Sequence, residues 1–275
     1  MFLTVLNVIT GMMWGGTVKS EDRASLGVEF RQVVNEMTGL LGDGKLVRLL
    51  PRRKMGGDEK SSDFLQFLLQ LKDEGDSKTP LTMAHLKALL MDMVVGGTET
   101  TSNTVEFALA EMMNRPEILK KAQQELETVV GKDNIMEESH INKLPYLHAI
   151  MKEALRLHPT LPVLIPRCPS ESCVIGGYMV PKGARMFLDS DSKWDFNGND
   201  FNYLPFGSGR RICAGLAMAE RMFMFLLASL IHSFDWELGL GEKHDLLEKF
   251  GIVLKKKVAL MAIPTPRLSS PTMYE

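Results

Sequence analysis

Cysteine is scarce in this 275-residue sequence, which has only Cys168, Cys173 and Cys213. None forms a C-x-x-C pair and an odd number does not build a disulfide framework, so a reducing compartment is the simpler reading. Excess charge is also missing: 32 Lys and Arg against 34 Asp and Glu leave a formal net charge of −2, which gives no hint of a nucleic acid partner. The six histidines show no metal-ligand spacing such as H-E-x-x-H. No Gly-Lys-Ser/Thr follows Gly96-Gly97, so that glycine pair is not a phosphate loop. Repeats and low-complexity tracts are absent. The stretch from Met1 to Gly11 is apolar, but it lacks a basic leader and is too short to span a bilayer. A core helix is expected there, in a chain expected to lack an N-terminal membrane anchor.

What the sequence does have is an ordinary globular composition, 45% apolar, with ample material for a core. One or two helices are expected over residues 1–50, with a start at Ser20-Glu21-Asp22. A solvated loop is expected from Gly42 to Lys60, and a short amphipathic helix from Asp63 to Lys72. From Leu81, Leu86, Leu89, Leu90, Met93 and Val94 keep helical spacing along one buried stripe. Gly96-Gly97-Thr98-Glu99-Thr100-Thr101 then interrupts it with poor helix formers and competing hydroxyls, and periodicity resumes at Val105, Leu109 and Met112. Such a weakened turn is read either as a functional opening or as a glycine kink at a close helix crossing.

A further helix has Pro116 in its first turn and Gly131 just past its end. Another carries Leu147, Ile150, Met151, Ala154 and Leu155 on one stripe and stops at His158-Pro159. Glu153 and Arg156, three apart, are neighbours on its surface. A hairpin is expected from Cys173 to Met186, with turns at Gly176-Gly177 and Pro181-Lys182-Gly183. Lys255 to Ala259 reads as a strand end.

The organising stretch is Phe206-Gly207-Ser208-Gly209-Arg210-Arg211-Ile212-Cys213-Ala214-Gly215. Its glycines allow a tight turn and a close approach to something flat or bulky. An apolar run from Leu216 to Ile231 follows and reads as a buried helix, which places Cys213 just before a helix N-terminus, where a thiolate is favoured. Ile212 occupies the last glycine position of a G-x-G-x-x-G dinucleotide loop and rules it out. A buried structural cysteine remains an alternative, as does a helical enzyme with Cys213 as nucleophile, which would need a histidine base that no spacing identifies.

Phe206, Gly209, Arg211, Cys213 and Gly215 resemble the Phe-x-x-Gly-x-Arg-x-Cys-x-Gly signature of the cytochrome P-450 haem-thiolate monooxygenases. Gly96, Gly97, Glu99 and Thr100 resemble that family's Gly-Gly-x-acid-Thr stretch, and Glu153 with Arg156 resembles its Glu-x-x-Arg helix. The resemblance implies a mainly α fold: the C-terminal helical part of the cytochrome P-450 fold with small β-hairpins, its N-terminal domain largely missing. It implies one domain over 1–275, with a haem-binding core from about residue 81. It implies haem (heme b) ligated by Cys213, with Arg211 and Arg167 as the basic residues that meet its propionates. Thr100 would hydrogen-bond dioxygen, Glu99 would relay protons, and Glu153 and Arg156 would be structural. The wording is similar to the plant microsomal branch that hydroxylates terpenoids and phenolics. The implied partners are a small apolar substrate, O2 and an NADPH–cytochrome reductase (a flavoprotein) docking on the Cys213 side. A monomer at the cytosolic face of the endoplasmic reticulum is expected.

Three departures from the pattern are evident. The chain is little more than half a family member. It is shortened around Gly42 to Lys60. It also runs abruptly from Met186 into Phe187, where the family has a strand, a short helix and a Pro-x-Arg-Phe segment whose arginine joins the Glu–Arg pair. These departures leave a truncated, catalytically silent family member as the alternative.

Overall fold

The computed structural model describes residues 2–14, 63–75, 80–186, 203–238, 245–251 and 253–274. The helix start expected at Ser20-Glu21-Asp22 and the loop expected from Gly42 to Lys60 lie outside these residues. The chain divides into two compact units, Met1–Ser102 and Asn103–Glu275.

In the first unit, helix α1 (Phe2–Trp14) buries Val5, Leu6, Ile9 and Met13, which share one face at helical spacing. Helix α2 (Phe64–Glu74) starts at Asp63, whose carboxylate accepts from the Gln66 N–H at 2.9 Å, and ends at Gly75 in the left-handed region. Helix α3 (Met83–Asn114) buries Leu86, Leu90 and Val94 along the stripe expected from the sequence.

The interruption expected at Gly96–Thr101 is not a break, because α3 is continuous through it. The competition is met by the side chains instead. Thr100 Oγ1 donates to the Gly96 carbonyl at 2.5 Å and Ser102 Oγ to the Glu99 carbonyl at 3.1 Å, back-bonds that a helix tolerates without unwinding.

The second unit is built from the last turns of α3 with α4 (Pro116–Val129), α5 (Pro145–Leu157) and α6 (Leu216–Ser233). Val105, Leu109, Met112, Leu126, Leu147, Met151, Met224, Leu227 and Ile231 form its core. Among the described residues α6 is the one helix long and apolar enough to cross a membrane by length and composition. Met224, Leu227 and Ile231 are fully buried in this core.

Helix α5 begins at Pro145 and has no side-chain cap of its own. Its N-terminal donors are satisfied by α4: Glu125 accepts from the Tyr146 N–H at 2.8 Å and the Leu147 N–H at 2.9 Å, a carboxylate at the positive end of a helix.

The described strands are short and antiparallel. β1 (Cys173–Ile175) and β2 (Tyr178–Val180) form the expected hairpin, turning at Gly176 (φ 57°) and Gly177 (φ 87°), the left-handed pair that such a two-residue turn demands. β3 (Phe234–Glu237) pairs with β6 (Ile263–Pro266), and β4 (Glu248–Lys249) with β5 (Lys255–Lys256). At the foot of α6, Arg267 donates to the Ile231 carbonyl at 3.1 Å and the His232 carbonyl at 3.3 Å. It also pairs with Asp235 at 3.0 Å and with Glu127 of α4, so one guanidinium closes the helix end and joins three elements.

Candidate functional site

Residues 203–215 enter from the core and leave into α6. Tyr203 and Leu204 are buried and Phe206 is half-buried against the core. Gly207 (φ 74°) and Gly209 (φ 64°) sit in the left-handed region, where a side chain would be strained. The turn is held by its own backbone: the Gly207 N–H donates to the Leu204 carbonyl at 3.0 Å, Ile212 N–H to Gly209 at 3.0 Å, and Cys213 N–H to Phe206 at 2.9 Å. Cys213 therefore stands three residues before Leu216, exposed, at the start of an 18-residue helix. A methyl on Gly215 would lie 3.8 Å from the Cys213 sulfur, in ordinary van der Waals contact, so the glycine flanks the sulfur. An exposed sulfur on a closed peptide turn, just ahead of a helix N-terminus, has the access needed to ligate a soft or borderline metal.

Arg167 is brought to this loop from 40 residues away in sequence. Its backbone pairs with Met186 in both directions, at 2.9 and 2.7 Å, and its Nη2 lies 3.7 Å from where a methyl on Gly207 would stand. A guanidinium therefore borders the cysteine turn, where it can meet an anionic group. Arg211 lies in the short 3-10 turn Gly209–Arg211 and is exposed. Leu164 shares the same Gly207 wall and is the one non-glycine with positive φ (53°) among the described residues. Nothing in the sequence singled it out.

Glu153 and Arg156 form a two-point pair on α5, at 2.7 Å for both Nε and Nη2. The hydrogen bond from Arg156 holds the Glu153 carboxyl below its ordinary range, and Glu153 correspondingly raises Arg156. One residue earlier on the helix, the Lys152 carbonyl accepts from the Tyr203 hydroxyl at 2.7 Å.

Two further groups were not visible as a site in the sequence. His158, read there only as a helix stop, is buried and stacks on Phe107 at 4.2 Å. Its ring nitrogens meet Glu248 at 2.7 Å and Glu111 at 3.0 Å. The Leu254 main chain is held between the Thr160 carbonyl at 2.8 Å and Asn103 Nδ2 at 3.3 Å.

In the first unit the two glycines of α3 divide their roles. A methyl on Gly97 would fall 2.2 Å from Cδ1 of Ile9 in α1, whereas one on Gly96 would meet nothing within 4 Å. Gly97 is thus the close helix crossing, and Gly96 is the open position, its carbonyl receiving Thr100. Glu99 is buried.

Comparison with known proteins gives one consistent family. The sequence model described as Cytochrome P450 matches residues 45–191 and 186–262. A flavonoid 3'-monooxygenase of Arabidopsis thaliana is 36% identical over 335 aligned residues, covering 99% of this chain and 65% of the relative. A geraniol 8-hydroxylase of Catharanthus roseus is 38% identical, covering 88% of this chain and 52% of its own. A zebra fish cytochrome P450 solved with abiraterone superposes with a TM-score of 0.82 at 25% identity, covering 97% of this chain and 70% of that one. The chain thus spans about two-thirds or less of the length of these curated relatives. The 335 aligned positions exceed its own 275 residues, so the Arabidopsis relative carries residues inside the matched span that this chain lacks. The two family-matched segments meet at residues 186–191, where the sequence runs abruptly from Met186 into Phe187.

Proposed function

Because the chain belongs to the cytochrome P450 family, whose cofactor is haem b held by a cysteine thiolate, we propose that it is a monooxygenase with Cys213 as its haem ligand. The observation that carries this is the exposed sulfur on the closed turn from Phe206 to Cys213, with Gly215 beside it and Arg167 bordering the turn. These residues fit the group. Cys213 would hold the iron, and Arg167 and Arg211 would meet the propionates. When bound, haem supplies the metal at which dioxygen is reduced.

The chain's own residues supply the rest. Gly96 leaves open space beside α3, Thr100 would turn its hydroxyl from the Gly96 carbonyl to donate to dioxygen, and Glu99 would carry protons to it. Overall, one oxygen atom enters a C–H bond of the substrate and the other leaves as water, using two electrons and two protons. The substrate class we propose is a small phenolic or terpenoid, as the names of the flavonoid and geraniol hydroxylases suggest. Electrons would come from a flavoprotein reductase docking near Cys213 and steered by basic residues, at the cytosolic face of the endoplasmic reticulum.

A second reading, a family member that does not turn over, is favoured by the residues missing inside the matched span. One spectrum separates the two readings. The purified chain, loaded with haem, reduced and exposed to CO, is expected to show the red-shifted Soret band of thiolate ligation, and Cys213→Ala is expected to abolish it. Failure to take up haem, or only the unshifted band, overturns the catalytic reading. Survival of the shifted band in Cys213→Ala overturns the ligand assignment.

A further inference from the structure

The Glu153–Arg156 pair lies on the outer side of α5, and no arginine occurs between Arg185 and Arg210 to complete it. The structure shows a different connection at the same place. Tyr203 begins the cysteine loop, is 5% exposed, and sends its hydroxyl 2.7 Å to the carbonyl of Lys152, adjacent to Glu153 and 51 residues away in sequence. In a helix that carbonyl already faces the N–H four residues on, and its second lone pair is free to take the phenol. Burial, reinforced by the Glu153 carboxylate, pushes the Tyr203 hydroxyl well above the ordinary tyrosine range, so it remains a proton donor wherever the protein is folded. Leu204 beside it is also buried, and the Leu204 carbonyl opens the backbone turn that ends at Cys213.

We propose that Tyr203 is a positioning residue, whose hydroxyl on the Lys152 carbonyl anchors the base of the cysteine loop to the helix carrying Glu153 and Arg156. The anchor fixes where the Cys213 sulfur is presented, and only this consequence rests on Cys213 being the haem ligand. The bond sits at the inner end of the loop, three residues before Phe206, whose carbonyl holds the Cys213 N–H. Releasing the inner end loosens every later bond of the turn, while the α4–α6 core keeps its packing.

The test is amide hydrogen exchange on the full chain without added haem, comparing wild type with Tyr203→Phe, which keeps the ring and removes only the O–H. Exchange across residues 204–215 is expected to quicken about fivefold, the factor corresponding to one ordinary hydrogen bond. The centres of α4 and α6 are expected to stay unchanged. Unchanged exchange in 204–215 overturns the proposal, and so does a general rise that includes α4 and α6 or a failure to fold, since each shows plain structural support. Tyr203→Leu, which also removes the ring, is expected to show the same local loosening. In haem-loaded chains of equal haem content, Tyr203→Phe is expected to convert more of the CO complex to the unshifted band. The exchange result stands even if the wild-type chain never shows the thiolate band, so the two readings fail separately.

Discussion

Ile9 of α1 fills the space over Gly97 of α3 so closely that a Cβ there would stand 2.2 Å from Cδ1. One position earlier, Gly96 faces open space. Two adjacent glycines of one helix thus differ in what they do: one allows two helices to cross, and the other leaves room.

The first prediction follows from that contrast. Gly97→Ala forces aside only Cδ1, the far end of the Ile9 side chain, so the expected cost is about 1 kcal/mol of rotamer strain, offset by up to about 1 kcal/mol of better helix propensity. Gly96→Ala meets no neighbour and is expected to keep that gain. Ile9→Val removes the clashing Cδ1 and is expected to restore much of the loss in a Gly97→Ala background. Thermal or urea melts of the three variants decide the matter, and equal stability of the two alanine variants would refute the contact.

The second concerns acid. Because Arg156 holds the Glu153 carboxyl below its ordinary value, folding favours the ionised form. Its contribution is fully present above about pH 4.5 and is lost as pH falls through the lower folded value. The stability gap between wild type and Glu153→Gln is therefore expected to narrow on acidification below that pH. Both side chains are more than a third exposed, so the gap is small at the outset. A gap that stays constant from about pH 6 to pH 3 removes the pair from the account of stability.

The third concerns Arg267. Replacing it with Ala removes a donor from the Ile231 and His232 carbonyls and a cation from Asp235 and Glu127, leaving Gln123 on Ile231 and Asp235 and Lys132 on Glu127. The expected loss is about 2–3 kcal/mol. Arg267→Lys is expected to recover only part of it, because a point charge cannot serve the helix end and two carboxylates at once. Urea midpoints within experimental error of wild type for Arg267→Ala would show that the hub is dispensable.

The helices α2 to α6 could be read from the sequence because each repeats apolar residues at the spacing of its own turn, and the β1–β2 hairpin because Gly176-Gly177 is a local signal. The cysteine turn and the Glu153–Arg156 pair were legible for the same reason: each lies within a few residues of chain. Tyr203 on Lys152, Arg167 beside Gly207, and His158 between Glu111 and Glu248 were not, since each joins distant segments and no periodicity encodes the meeting. The division of labour between Gly96 and Gly97 was hidden too. The close approach read for the glycine stretch falls at Gly97, and only the neighbour on α1 says which of the two glycines it is.

Helix α5 borrows its N-terminal cap from Glu125 on α4, and this sets an order of events. Thirteen residues beginning with proline are near or below the length at which a lone helix persists in water. Cut off from α4, α5 must nucleate with its first donors unmet. The partner that meets them is made about 20 residues earlier in sequence, so a chain emerging from a ribosome has α4 in hand before α5 needs it. The helix that bears the Glu153–Arg156 pair is thus a late acquisition of the fold, templated by its neighbour.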